Sequence, residues 1–310
     1  MLRRNASGIV ILVLVASLFA TTALASANGA ENPLYSNKEI LNYLFWTRDE
    51  KLQKDVAGLQ ATLGLSEDQM SQLKDWGLRE RISVRTLQNK KLTSVSFNTS
   101  VAEVFNERNV ALQGILGKKY KAFEEWVSTW WSGERNYRKT WLAQRYGTFA
   151  DIDRISGIFA TQYEPNTPGA YEVALPDKYI KFANLGWWSD IPDEIEDTYG
   201  DPPYEVNVYN PDTDLAVLGV SVDEVGPWNE DDNYWDSADG DNPRRFGSDL
   251  DLGTPAAYAA YYDDWNDGKD FEGDTVTNPA GIDLTPDVAA DLGLSLYENA
   301  WVDVRYEYIP

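Results

Sequence analysis

The sequence contains no cysteine and no histidine. Without cysteine, neither disulfides nor thiolate metal ligands can support the fold. Without histidine, an ordinary zinc or haem site is not expected, and any catalytic nucleophile that depends on a histidine base is excluded. Carboxylates are the side chains left for acid–base chemistry, and we expect neither a metal site nor another cofactor.

Long apolar segments are also scarce. Arg3 and Arg4 precede an apolar run at residues 9–19, and small residues follow at 25–27. This order is typical of a secretory signal peptide over residues 1–27, and the run is too short to span a bilayer comfortably. We expect an exported protein of the periplasm, cell wall or cell surface, with no membrane segment after signal cleavage.

Basic residues are few in the second half of the chain. Residues 31–150 contain 18 Lys and Arg against 14 Asp and Glu, whereas residues 151–310 contain 7 against 36. Because so acidic a half repels phosphates and anionic lipid, nucleic acid is not an expected partner. The change in charge, together with Gly147 and Gly157, predicts a boundary between two domains near residues 147–157.

Helical patterns dominate residues 36–150. Ser36 and Glu39, and likewise Ser66 and Gln69, have the capping-box spacing, in which a hydroxyl and a side chain three residues later satisfy each other's backbone donors. Apolar residues then recur at helical spacing. We predict a bundle of three to five helices with a structural or spacing role.

Short strands and turns dominate residues 157–310. Proline and glycine recur between short β-branched and aromatic runs, which is typical of a small barrel. An acidic insertion at 230–279 does not fit a calcium-loop template, so a solvated loop and calcium in an irregular loop are its two interpretations. The predicted strands are 158–163, 171–175, 179–183, 204–209, 215–222 and 301–308, and a helix is predicted at 255–262.

Two short motifs place carboxylates beside backbone turns. A predicted strand leads into Asp223 and Glu224, which precede a Gly-Pro turn. Asp283 comes just before a short predicted helix, for which Thr285 is a suitable N-cap and Gly293 a suitable left-handed end. If the two motifs meet in space, their carboxylates line a groove.

The order of these motifs resembles the double-psi β-barrel family that includes rare lipoprotein A. The resemblance covers residues 157–310, and it implies an α+β protein in which an all-α bundle is followed by a six-stranded double-psi β-barrel with an acidic insertion. The matching segments are Gly-Ile-Phe-Ala-Thr-Gln-Tyr at 157–163, Ala-Leu-Pro at 174–176, Glu-Val-Gly-Pro-Trp at 224–228, Ile-Asp-Leu-Thr at 282–285 and Leu-Gly at 292–293.

The same resemblance implies a catalytic role for carboxylates. The family includes lytic transglycosylases that cleave peptidoglycan, and Asp283 stands where its relatives carry a catalytic aspartate. Glu224, with Asp223 beside it, stands where rare lipoprotein A has an aspartate, while Glu172 stands near the place of a histidine that this chain lacks. The residues alone are also consistent with backbone capping by Asp283 and turn formation by Glu224.

Several residues near the motifs are candidate glycan contacts, because aromatic faces stack on sugar rings and carboxylates accept sugar hydroxyls. The alternative is that the aromatic rings pack the insertion onto the barrel and that Arg244 pairs with neighbouring aspartates. The candidates are Glu172, Trp228, Asn229, Tyr234, Trp235, Arg244 and Trp265.

Three functions are consistent with the sequence. The first is an exported lytic transglycosylase-like enzyme, in which Asp283 protonates the glycosidic oxygen and then takes the proton of the sugar's own 6-hydroxyl, which requires a raised pKa. The second is a non-catalytic module that binds peptidoglycan or another cell-wall polysaccharide. The third is a polysaccharide hydrolase with two acids about 6.5–9.5 Å apart.

Overall fold

An N-terminal set of helices precedes a closed β-barrel. The helices and the barrel form one compact unit, and none of the described helices is long and apolar enough to cross a membrane. The predicted signal peptide and Arg244 lie outside the described residues. The computed structural model describes residues 37–146, 154–186, 204–235 and 249–306, except the side chains of 143–146.

The predicted helical region is confirmed, and its helix starts follow local capping rules. Ser66 and Gln69 form the expected capping box, and Asp49 and Thr93 cap the next helices on either side. Ser36 lies outside the described residues, and the first helix begins after Glu39. The helices are α1 (Ile40–Trp46), α2 (Glu50–Leu63), α3 (Glu67–Gln88), α4 (Ser94–Leu116) and α5 (Tyr120–Tyr146), with a two-residue strand β1 (Thr47–Arg48) after α1.

The short helix α1 lies at the centre of the helical layer. Ile40, Leu41 and Leu44 are almost completely buried, and α1 packs closely against α3. The close approach depends on Gly77 of α3, since a Cβ added there would lie 2.8 Å from the carbonyl carbon of Leu41. Tyr43 of α1 stacks on Phe159 of the barrel with ring centroids 5.7 Å apart, so α1 connects the two layers.

Six strands close the barrel in the order β2, β6, β3, β5, β4, β7, and β7 pairs back to β2. The pairs β2 with β6 and β3 with β5 are parallel, while the other pairs are antiparallel. The protein is therefore α+β with a closed barrel, as predicted. The strands are β2 (Arg154–Gln162), β3 (Glu172–Leu175), β4 (Tyr204–Asn210), β5 (Leu215–Val225), β6 (Ile282–Leu284) and β7 (Asn299–Tyr306).

One predicted strand is wrong. Residues 179–183 belong to helix α6 (Lys178–Asn184), not to the barrel. The side chain of Asp177 accepts the backbone N–H of Tyr179 at 2.7 Å and caps the helix, and the rings of Tyr179 and Phe182 meet one helical turn apart. The aromatic content of this run suggested a strand, whereas the cap and the three-residue spacing produce a helix.

Two further helices follow strand β5 in the chain. Helix α7 (Ala256–Asp263) agrees with the predicted helix, and helix α8 (Pro286–Asp291) follows β6 directly. Gly293 has the expected left-handed conformation, with φ of 76°. Thr285 precedes α8, but its hydroxyl donates to the carbonyl of Glu172 at 3.0 Å instead of capping the helix.

The helical layer and the second half of the chain are joined by complementary charge. Asp264, after α7, pairs with Lys38 at 3.6 Å and with Arg135 at 3.2 Å. Lys139 pairs with Asp263 in the same region. The basic surplus of the first half of the sequence is thus partly used to hold acidic residues of the second half.

Candidate functional site

A cavity of about 290 Å³ opens where α3 meets the turn after β5. We call this cavity the groove, and its lining includes Arg85, Glu224, Trp228, Asp270 and Asp283. The helical layer supplies Arg85, the barrel supplies Glu224 and Asp283, and the chain between β5 and β6 supplies the other two. The structure therefore places Asp283 and Glu224 beside the same cavity.

Asp283 is held from two sides at the middle of β6. Its Oδ1 accepts the hydroxyl of Thr161 on β2, and its Oδ2 pairs with Nη1 of Arg85 at 3.2 Å. The side chain is only 2% exposed. Both carboxylate oxygens are already engaged, which limits direct contact with a ligand.

Arg85 extends from α3 over the barrel end. Its side chain is 26% exposed, so water and ligand reach part of the guanidinium. The guanidinium also lies 5.8 Å from the ring centroid of Tyr163, and its Nε is buried without a hydrogen-bond partner among the described residues. Arg85 therefore shields Asp283 from the groove and supplies a positive charge to the lining of the groove.

The acids near the exit of β5 occupy different positions. Glu224 lines the groove, and its Oε1 accepts the side-chain amide of Asn166 at 2.5 Å. Asp223 is exposed and does not line the groove. Glu172 is nearly buried and accepts the hydroxyl of Tyr163 at 2.9 Å. Burial raises the pKa of Glu172, and the charges of Asp223 and Glu224 raise it further, while the hydrogen bond from Tyr163 opposes this.

An acidic loop forms the opposite side of the groove. Asp270 is largely buried, and its Oδ1 accepts the backbone N–H groups of Glu272 and Asp274 at 3.0 and 2.8 Å. Burial raises the pKa of Asp270 from 3.8 to about 7 despite these bonds. Among the described residues, no three or more acidic side chains are arranged to hold a metal ion.

Trp228 and Asn229 fix the turn between the barrel and this loop. Trp228 has a φ of 60°, and its indole Nε1 donates to Oδ1 of Asn278 at 3.0 Å. It packs on the helical layer and also lines the groove. Asn229 is buried, and its Oδ1 accepts the backbone N–H of Phe271 at 3.0 Å. Asn229 thus supports the acidic loop and does not itself line the groove.

The other predicted aromatic contacts pack inside the protein. Tyr234 is fully buried and donates its hydroxyl to the carbonyl of Gly281 at 3.0 Å, and Trp235 stacks on Tyr306 at 4.8 Å. Trp265 is half-buried and packs against the core cluster that includes Trp131 and Tyr261. A ligand-binding role was expected for these rings, but Tyr234 and Trp235 are buried in the core and Trp265 does not line the groove, in line with the alternative that they pack the insertion.

Arg85, Tyr163 and Asn166 were not predicted to belong to the site. Arg85 lies 198 residues before Asp283, and no sequence signal connects the two. Tyr163 was included in the first predicted strand, where its position just after β2 gave no indication of a surface role. The acidic composition of the insertion did indicate a charged loop, without indicating which of its carboxylates would face the cavity.

Fold and site together define an α+β protein with a closed six-stranded barrel and a predominantly acidic groove at its junction with the helices. A family model described as a domain of unknown function, DUF8814, matches residues 147–305, just over half of the chain. The chain belongs to this family. Comparisons with curated proteins and with solved structures find no match in either.

Proposed function

We propose that this chain is an exported protein that binds a cell-wall glycan such as peptidoglycan in the groove, and that its barrel is of the double-psi type. The barrel assignment is supported by the ring of six strands with two parallel pairs, β2 with β6 and β3 with β5, joined side by side through β3 and β6. The order of motifs along 157–310 supports it independently.

The single observation that carries the proposed ligand is the mixed lining of the groove. Glu224 presents a carboxylate that can accept sugar hydroxyls, and Trp228 presents part of an indole ring on which a sugar can stack. The volume of about 290 Å³ lies just below the usual range for ligand pockets, about 300–1,000 Å³. An open, polar cavity with one aromatic wall suits part of a glycan chain.

Binding without cleavage fits this geometry best. A proton donor has to contact the glycosidic oxygen, at about 2.6–3.2 Å between heavy atoms. Asp283 is almost completely buried, and Thr161 and Arg85 occupy its two oxygens. Its role in the proposal is therefore to hold Arg85 in place at the wall of the groove.

The proposal is tested by binding to insoluble peptidoglycan. We expect the protein to sediment with it, and Glu224→Gln to bind about tenfold more weakly because it loses a charged acceptor, worth about 1.5 kcal/mol. Glu205→Gln is the matched control, since Glu205 is an exposed glutamate of β4 outside the groove. No binding, or equal losses for the two variants, would show that the proposal is wrong.

A lytic transglycosylase is the second candidate, because Asp283 and Glu224 do line one cavity. It requires Arg85 to move and release Asp283 when substrate binds. Mass spectrometry of the soluble fraction distinguishes the two functions. Fragments with 1,6-anhydro ends from the natural protein, and none from Asp283→Asn, would establish cleavage and overturn binding without chemistry; new reducing ends without anhydro groups would instead indicate hydrolysis.

A further inference from the structure

A second cavity of about 300 Å³ adjoins the groove along the same face of α3. It extends away from Trp228 towards Arg81, Leu296 and Tyr297, and it shares with the groove the residues Arg85, Asn89, Tyr163 and Glu164. The two cavities thus adjoin each other at Arg85, and together they are called the trench. A chain of several sugar rings is long enough to occupy both.

The charges of the two cavities are opposite. Among the described residues, the groove has one guanidinium, that of Arg85, against seven carboxylates. The second cavity has the guanidiniums of Arg81 and Arg85 against a single carboxylate, that of Glu164. A ligand lying in the trench therefore meets an acidic end and a basic end.

The positive charge of the second cavity is incompletely compensated. Among the described residues, the polar contacts of Arg81 are long, with Oε1 of Glu39 at 3.8 Å and with the carbonyl of Gln162 at 3.4 Å, and its side chain is 5% exposed. Burial lowers the pKa of Arg85, and the neighbouring charge of Arg81 lowers it too, whereas Asp283 raises it. The two guanidiniums, one helical turn apart, therefore repel each other, and an oxyanion between them would relieve that repulsion.

The second cavity also has an apolar and aromatic part of its lining. Leu296 is 56% exposed and Tyr297 is 37% exposed. Tyr297 is held in position, because its backbone N–H donates to Oε1 of Gln162 at 3.2 Å. A fixed, partly exposed ring in the same cavity as a pair of guanidiniums matches a ligand that has both a ring face and a negative charge.

We propose that the second cavity is a subsite for an acidic sugar, whose carboxylate binds Arg81 and Arg85 while its ring packs on Tyr297 and neighbouring sugars continue into the groove. This inference rests on the proposed function, since it names the class of sugar residue that the glycan carries at one position. Guanidinium groups donate paired hydrogen bonds to a carboxylate, and packing of the sugar ring on Tyr297 adds apolar contact.

The test compares tetragalacturonic acid with its methyl ester, which has the same rings without the negative charges. Affinities are measured by isothermal titration calorimetry at physiological ionic strength. We expect the acid to bind at least about tenfold more tightly than the ester. Arg81→Gln should remove most of that preference, whereas Arg79→Gln, an exposed arginine of α3 outside both cavities, should retain it.

A second variant keeps the test decisive if Arg81→Gln unfolds. Tyr297→Ala changes a partly exposed side chain, and we expect it to weaken acid and ester equally while the preference for the acid stays. Equal affinity of the natural protein for acid and ester, or no binding of either, overturns the subsite. If peptidoglycan still binds in that case, the proposed function stands and only the acidic subsite fails; if peptidoglycan also fails to bind, both fail.

Discussion

The ion pair between Arg85 and Asp283 connects the helical layer to the barrel, and its contribution to the free energy of unfolding can be measured directly. Removing one partner of a buried pair costs about 3–5 kcal/mol, because the other charge stays buried without compensation. Asp283 is almost completely buried, but Arg85 is 26% exposed, so water reaches part of the pair. We therefore expect Arg85→Gln to lower the free energy of unfolding by about 3 kcal/mol, at the lower end of that range.

A double-mutant cycle separates the pair from its surroundings. Asp283→Asn alone should cost about 1–3 kcal/mol, since it leaves Arg85 without its carboxylate but near water. The double variant should cost clearly less than the sum of the two single variants, with a coupling energy of about 1–3 kcal/mol. The assay is urea denaturation followed by tryptophan fluorescence, and Arg79→Gln should change stability by no more than about 0.5 kcal/mol.

Additive effects would refute this reasoning. If the costs of Arg85→Gln and Asp283→Asn add to within about 0.5 kcal/mol in the double variant, the two side chains do not interact in solution. Asp283 would then be free to face the groove. That result would also reopen the case for acid catalysis by Asp283.

Three further predictions follow from the packing and protonation of single residues. Gly77→Ala should destabilise the protein by about 1–3 kcal/mol in urea denaturation, because its Cβ would overlap the backbone of Leu41. Gly58→Ala is the control and should be neutral or stabilising, because nothing lies within 4 Å of the new Cβ. Equal effects of the two variants would contradict the packing of α1 on α3. Burial raises the pKa of Asp270 from 3.8 to about 7, so the folded state holds a proton that the unfolded chain releases. The stability that this proton contributes is present below about pH 4 and is lost as the pH rises to about 7, with a slope of at most about 1.4 kcal/mol per pH unit. Urea denaturation at a series of pH values should show this loss in the natural protein and not in Asp270→Asn. Identical pH profiles for the two proteins would exclude it. Tyr234→Phe should cost about 1–3 kcal/mol of stability, because it loses the hydrogen bonds with the carbonyl of Gly281 and the hydroxyl of Tyr306, and should leave peptidoglycan binding unchanged. A binding defect without a loss of stability would instead indicate that Tyr234 contacts the ligand.

Local sequence signals predicted much of the fold. The capping box at Ser66, the left-handed end at Gly293 and the helix near 255–262 are each decided within a few residues, and all three are confirmed. The run 179–183 was misassigned because the β preference of its aromatic residues is weaker than the cap provided by Asp177. Short-range rules succeed where short-range interactions decide the structure.

The site depends on long-range packing and was predicted only in part. Glu224 and Asp283 were identified by their motifs and do line one cavity, but Arg85 comes from a helix whose sequence shows no link to them. Tyr234 and Trp235 follow the same turn as Trp228, yet they point into the core because the chain folds back over the barrel. Contacts between residues that are far apart in the sequence decide which aromatic rings are buried.

The most direct test of the central claim is hydrogen exchange with mass spectrometry, with and without solubilised peptidoglycan fragments. Glycan binding in the groove predicts slower exchange in peptides covering residues 85–89, 163–166, 224–230 and 270–274, and no change in the middle of α5 at 121–139. Unchanged exchange in these four segments, or protection confined to another surface, would contradict a glycan site between the helices and the barrel.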